Sequence, residues 1–588
     1  MPDYYHKGLG LDGKAEQLGT APDLRDNPVL HDRGAGSPRR QGDVHKKAVQ
    51  SRLHAARRRA GITGALLAVA SLNLAACSPS GPARYAGNLY DVESFAGGVI
   101  ADEPRAALVG RDIISAGGNA ADAMVAMYFT MAVTMPSSAS IGGGGVCIAH
   151  QVDKKRKKIT NNVIDFLPRA GSGGQVAVPG NVRGMAAVWA GFGKLPWAQL
   201  VSPGETLAQQ GTPVSRTLAN DVAAGGQVLQ NDPRLAAMFL GPDGKAAHQG
   251  DNLRQSDLAA VLSEIRARGA GAFYAGPLAQ RMVDGAQAVG APLTLDDMRN
   301  FKAIMGAPLE VPFGNQTVYL PQPPAASGIS VAQMLGILQS SGSNGLTPTF
   351  LADASLRVMA DRSNWMRLGG DSMTPAADLV SSNHTDQLMA NYQSGQASHA
   401  GNLTPPAQEK PENPWAVSAL AVDQDGGAVA CSFTMNALFG AGRIAGDTGV
   451  LLAPAPNAQG AGFSALAPVI VANSHNGDLY FAATADGGMA GALSEAVILH
   501  NTLSGKTTLD QALQAPRVFH NGTPDKVYFE AAGDGAVLKS AGYDVEQRQP
   551  LGIVNAMVCP KGAPSNIAQC FMRNDYRGNG LASLFSSH

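Results

Sequence analysis

Charge is scarce in this chain. Asp, Glu, Lys and Arg make up 15% of its 588 residues and the formal net charge is -1, so no global field draws it to phosphate backbones. Nucleic-acid binding would need a concentrated basic face. Metal and nucleotide signatures are missing as well. The five cysteines form no CxxC and no HExxH occurs, which leaves nothing that proposes a metal site. Gly505-Lys506-Thr507 ends like a phosphate loop but has His500 where the first glycine belongs, so no nucleotide cofactor is expected. The four glycines Gly142 to Gly145 lack that spacing too. What the chain does have is 45% apolar residues with 70 Gly and 36 Pro, the composition of a turn-rich globular protein. Its length suits several domains or one large interleaved α/β body.

The apolar stretch Gly61 to Ala76 is too short to cross a bilayer comfortably. It follows Arg57, Arg58 and Arg59 and ends in small residues, as the core of a secretory signal does. Leu74-Ala75-Ala76-Cys77 looks like a bacterial lipobox. On that reading residues up to Ala76 are removed and Cys77 is acylated, and two or more buried acyl tails suffice for stable anchoring. Ser78 resembles the residue that directs such proteins to the outer membrane. The expected location is therefore the bacterial cell envelope, with the body facing the periplasm. Cys559 and Cys570 are candidates for a disulfide in that oxidising compartment. Cys147 and Cys431 lie in apolar runs and read as buried small hydrophobes.

Residues 78–94 read as a tether, 95–391 as a first long region, 392–415 as a mobile linker and 416–588 as a second region. Glu103 to Ala116 has apolar residues at helical spacing behind Asp102 and stops at Gly117-Gly118. Asn119 to Met131 reads as a second, buried helix. A strand is expected over Val146 to Val152. Pro405, Pro406, Pro411 and Pro414 punctuate the linker. Beyond it, Val417 to Val422 and Ala428 to Phe433 alternate around Asp425-Gly426-Gly427 as a hairpin. Val469 to Ala472 and Leu479 to Thr484 are further strands.

Several segments in order resemble the gamma-glutamyltransferase family. They include Ala116 to Ala123, Ile141 with the four glycines, Val178-Pro179-Gly180, Lys194-Leu195-Pro196-Trp197 and Pro323 to Gly328. Ala360-Asp361-Arg362, Asn436 to Gly440, Gly449 to Leu452, Gly487-Gly488 and Ala515 to Val518 follow. Together they cover about residues 95 to 580. The resemblance implies an N-terminal-nucleophile hydrolase fold, a four-layer αββα sandwich with two antiparallel sheets between helices. In active members the chain cuts itself after a mobile linker. The exposed threonine, with its freed amine as base, then attacks a gamma-glutamyl amide such as that of glutathione.

Counting back from Asp423 without a gap puts that threonine's position at Ala416, and a methyl group cannot attack a carbonyl. Thr434 and Asn436 match the family's Thr and Asn, which serve the nucleophile and the substrate's amino-acid end. Gly487 and Gly488 match the glycines whose N–H groups hold the oxyanion. The arginine that clamps the substrate carboxylate corresponds to Leu167, and Arg169 is displaced by two. The residues that hold the amino group correspond to Ala455 and Ala458; of a Ser-Ser pair Ser464 stays and Ala465 does not. Asp423 and Asp425 begin like a calcium loop, but nothing acidic closes it at the twelfth position, so they read as turn residues.

Three readings follow. One is a catalytically silent member kept in the envelope to bind or scaffold an unknown ligand or protein. Another is a working gamma-glutamyl hydrolase or transferase with a shifted nucleophile such as Ser418, which would face the same side as Ala416 about 7 Å along the strand. The third is a different amide or acyl substrate on the same fold.

Overall fold

The computed structural model describes residues 95–586, except 154, 156–157, 242, 343–345, 368, 404–412, 457–464 and 566–569. Cys77 and its signal, Ala458, Ser464 and the centre of the proline-rich linker lie outside the described residues.

Thirteen strands build two antiparallel sheets: β1 (Phe95–Ala101), β2 (Gly144–Asp153), β3 (Lys158–Phe166), β4 (Ile304–Gly306), β5 (Leu309–Phe313), β6 (Gln316–Leu320), β7 (Val417–Asp423), β8 (Ala428–Thr434), β9 (Val469–Ala472), β10 (Leu479–Asp486), β11 (Ile553–Ala563), β12 (Phe571–Arg573) and β13 (Leu581–Ser586). The seven-stranded sheet has the order β13-β1-β7-β8-β2-β3-β4, and the six-stranded sheet β12-β11-β10-β9-β6-β5. Both sheets draw strands from both sides of the linker.

Period-two alternation along the strands makes the layers. Val417, Ala419 and Ala421 of β7 join an apolar cluster with two helices, α1 (Pro104–Ser115) and α2 (Ala120–Thr134). Ala416, Leu420 and Val422 point the other way, into a cluster with Tyr319, Ile470 and Ala482 between the sheets. Val469, Val471, Phe481 and Ala483 cover the far face of the six-stranded sheet. They pack there with α3 (Ser327–Ser340), α4 (Pro348–Trp365) and α5 (Met489–Leu503). Three apolar layers separate four layers of secondary structure, which is the αββα sandwich that the resemblance implies.

Details differ from the sequence reading for physical reasons. Glu103, not Asp102, caps α1, its carboxylate accepting the Ala106 N–H at 2.9 Å. This leaves Asp102 free to turn inward. Helix α2 runs three residues past Met131 and is buried along its whole length. Its Thr130 and Thr134 hydroxyls bond back to the Ala126 and Thr130 carbonyls, at 2.8 and 3.1 Å, so they sit in an apolar layer without loose donors. Cys147 and Cys431 are buried, as read, but they are not separate small hydrophobes. They form a disulfide, because the register of β8 on β2 places them directly opposite one another. Cys559 and Cys570 are joined as expected. Residues 154–158, which follow β2 in the sequence, are a second basic run. Of the linker, Ala400–Asn402 is a short 3-10 turn whose Ala400 N–H is held by Asp525, and Asn413 is buried. Among the described residues, no helix is long and apolar enough to cross a membrane.

Gly142 to Gly145 have a structural reason. A Cβ on Gly145 would meet the Ser432 carbonyl and the Phe433 Cα of the neighbouring strand, and the other three would each meet a backbone carbonyl. Gly145→Ala is therefore expected to cost about 3 kcal/mol or more, because backbone in a sheet centre cannot step aside. A thermal melt beside the parent protein measures this, and an unchanged midpoint would contradict the packing account.

Glu495 of α5 is fully buried with neither carboxylate oxygen hydrogen-bonded among the described residues. Burial alone pushes its carboxyl well above the ordinary range. The folded chain thus keeps a proton that the unfolded chain releases. Stability is greatest below the ordinary carboxyl range and falls as pH rises from there toward the raised native value. Glu495→Gln is expected to remove that decline, gaining more at about pH 8 than at about pH 5. Melts at the two pH values test it, and equal effects would refute it.

Candidate functional site

The site lies where the start of β7 passes the end of β10 between the sheets. Two contacts fix their relative position. The Thr484 hydroxyl donates to Ser418 Oγ at 2.9 Å, and the Gly487 N–H donates to the Pro414 carbonyl at 3.2 Å. β7 and β10 therefore run in opposite senses here, with Ala416 opposite the Thr484–Gly487 segment.

Ala416 is 8% exposed and belongs to the inter-sheet apolar cluster. The link before it is held at three points. Asn413 Oδ1 accepts the Trp415 N–H at 2.9 Å, Gly487 N–H reaches Pro414 O, and the Thr434 hydroxyl donates to the Trp415 carbonyl at 2.9 Å. The carbonyl next to Ala416 thus accepts from the threonine of the expected set, and one expected oxyanion glycine is engaged by the chain's own backbone. Gly487 and Gly488 have φ of 83° and 74°, a region that favours glycine. The Asn436 N–H donates to Thr434 Oγ1 at 2.9 Å and its side-chain amide to Pro454 O at 3.1 Å. Asn436 itself has φ of 56°, left-handed backbone that Asn tolerates better than most residues.

Ser418 is tied down. It is 1% exposed, and its N–H and hydroxyl both donate to Asp102 Oδ2, at 2.6 and 3.0 Å. Asn555 Nδ2 donates to Asp102 Oδ1 at 2.6 Å and lies 3.3 Å from Ser418 Oγ. Asn555 Oδ1 accepts the Asp575 N–H at 3.2 Å, and the Asp575 carboxylate pairs with Arg517 and Arg577. Burial pushes the Asp102 carboxyl up, opposed by its hydrogen bonds from Ser418 and Asn555. One residue before the glycine pair, Asp486 sits at the end of β10. Burial pushes its carboxyl well above the ordinary range; Asp102, Asp575 and Asp221 reinforce this, and Arg517 opposes it. Asp221, bonded by the Ser137 hydroxyl at 2.6 Å, is itself pushed up to about 6 by burial.

The other expected positions fall as follows. Leu167 is buried in the same inter-sheet cluster as Ala416. Arg169 is held elsewhere, on Asp165 at 2.7 Å and Lys302 O at 3.1 Å. Ala455 is buried and anchored by its N–H to Gln175 O. Asp423 accepts from the Asp425 and Gly427 N–H groups of its own turn and from Ala120 at the start of α2. No group of acidic, His or Cys residues able to hold a metal occurs among the described residues. Reading along the chain missed Asp102, Thr484, Asn555 and Asp486. A lone carboxylate ending an apolar strand just before Gly487-Gly488 was the available signal for the last.

A family model described as gamma-glutamyltranspeptidase matches residues 106–584. The chain is 26% identical over 557 residues to a glutathione hydrolase proenzyme of Escherichia coli, covering 85% of this chain and 95% of that protein. It is 29% identical over 478 residues to an acylase ACY 1 proenzyme of a Pseudomonas species, covering 72% and 83%. The crystal structure of a cephalosporin acylase from Bacillus halodurans superposes with a TM-score of 0.71 at 21% identity, over 87% of this chain and 99% of that one. At that identity the likeness speaks for the fold.

Removing each partner of the Ser418 network separates their roles. Ser418→Ala is expected to cost about 1 kcal/mol, since Asp102 keeps its backbone and amide donors. Asp102→Ala strands the Ser418 N–H and the Asn555 amide and is expected to cost about 3 kcal/mol. Thermal midpoints of the two variants test the order, and a reversed order would refute it.

Proposed function

The chain belongs to the gamma-glutamyltranspeptidase family, and from that premise we propose that it is a member that neither cuts itself nor turns over gamma-glutamyl amides, kept in the cell envelope as a binding or scaffolding protein. The observation that carries this reading is the pairing of a methyl group at Ala416 with the commitment of Ser418, the nearest hydroxyl on the same face of β7. Self-cleavage and acyl transfer in such a site both need a hydroxyl beside the Trp415 carbonyl. Thr434 reaches that carbonyl, but it does so as a donor from the adjacent strand. The burial of Leu167 and Ala455, where the resemblance puts the groups that hold a glutamyl head, supports the same reading.

A shifted nucleophile at Ser418 is opposed by its setting. Freeing its amine would cut between Val417 and Ser418, inside a strand where Val417 pairs with Phe433 and Ser418 with Ser432. Misplacement along the strand by even about 1 Å can cost a hundredfold in rate. Envelope location and an acyl anchor at Cys77 belong to the same proposal. They are supported by the Leu74-Ala75-Ala76-Cys77 sequence and by two disulfides, which suit an oxidising compartment.

The purified protein is expected to run as one chain on denaturing electrophoresis, with one intact mass. Two fragments with Ser418 at the new N-terminus would sink the proposal. Ala416→Thr alone is expected to leave gamma-glutamyl-anilide hydrolysis at the buffer rate, because no carboxylate clamp returns with it; clear turnover would show that the loss is confined to one residue.

A further inference from the structure

Asp486 is the buried ionisable group at the site that nothing engages. It is 9% exposed, and its side chain takes part in no hydrogen bond or ion pair among the described residues. Its direction follows from the strand. Thr484, two residues earlier on β10, reaches across to Ser418, so Asp486 shares that inward face. One residue later, Gly487 meets Pro414. The Asp486 carboxyl therefore faces the Trp415–Ala416 link, at the level of the expected reaction centre.

The cations nearby are spoken for. Arg517 pairs with Asp575 and gives its other nitrogen to the Leu551 and Gly552 carbonyls. Arg577 holds Asp575 and Glu530, and Arg169 is on Asp165. The carboxyls that act on Asp486 are Asp102 just after β1, Asp575 beside β12 and Asp221 near α2, so several acidic groups surround the site. Meanwhile Leu167, Ala416 and Leu466 supply buried apolar surface between the same two sheets. A ligand carboxylate would meet these acidic groups and, among the described residues, the neighbouring arginines already paired. A cationic nitrogen would find an acid without a partner beside apolar walls, and the carboxyl would give up its proton to solvent as the ion pair forms.

We propose that this site binds a ligand carrying a cationic nitrogen, an amine, amidine or guanidine, on an apolar body, with the nitrogen seated on Asp486, and that it rejects carboxylates. The inference rests on the non-catalytic binding reading and adds the ligand's chemical class. Ala416 and Asp486 keep 8% and 9% of their surface open.

Benzamidine, benzamide and benzoate share one shape and differ in charge, which makes them a direct probe. Calorimetric titration of the full chain, its intactness checked by mass in the same sample, is expected to show saturable binding of benzamidine. Benzamide should bind at least about tenfold more weakly and benzoate not at all. Asp486→Asn keeps the shape, removes the charge and should weaken benzamidine by about 30-fold or more. Ala416→Leu keeps the charge and should block binding by bulk, so the idea stays testable if the Asp486 variant fails to fold. Benzoate binding as tightly as benzamidine, an Asp486→Asn variant of unchanged affinity, or no saturable benzamidine binding to the intact chain would each overturn the inference. A sample found cut at Ser418 would instead overturn the non-catalytic reading, and the titration would still judge this one.

Discussion

A buried chain of hydrogen bonds pins the two sheets to one another at the level of the site. Asp102 and Ser418 come from the seven-stranded sheet, Thr484 and Asn555 from the six-stranded one, and Asp575 with Arg517 and Arg577 closes the far end. Apolar side chains between sheets tolerate sliding, whereas these directional bonds lose their energy over fractions of an ångström. They set how far β7 advances along β10. That setting decides what Ala416 faces, where Pro414 and Trp415 lie, and which N–H of the glycine pair is taken. A network with this many donors for one carboxylate specifies a position more than it adds net stability, because its members all give up water to make it.

The same arrangement sorts the residues that match the family's motifs. Those that keep the backbone on course remain: the glycines that pass under neighbouring carbonyls, Asn436 in left-handed backbone, Thr434 on the Trp415 carbonyl. Ala416, Leu167 and Ala455 are buried, the first two in the apolar cluster between the sheets.

Much of the fold was legible in the sequence. Alternation gave β7, β8, β9 and most of β10 nearly to the residue, and Asp425-Gly426-Gly427 marked their hairpin. The site was legible only where position along one strand decides it, as with Ala416 and Ser418. Asp102 reads locally as a helix cap, and only the sheet partner of β1 shows that Glu103 caps and Asp102 turns inward. Asn555 lies 137 residues beyond Ser418 and Cys431 lies 284 beyond Cys147. Such pairings are products of register between distant strands, and no local pattern encodes them. Thr484 belongs to the same class: its role depends on which strand passes over it.

The placement of β1 has a consequence for how the protein is made. This strand, the first of the sandwich in the sequence, lies between β7 and β13, and β13 ends at Ser586. Nothing nearer along the chain hydrogen-bonds to it in the sheet. A ribosome or an export channel delivering the chain from its N-terminal end must release it as far as β7 before β1 has one neighbour and as far as β13 before it has both, so the sheet closes late. Deleting β13 would uncover the edge of β1 and open the sandwich at the strand beside Ser418, a long way in sequence from the deletion itself.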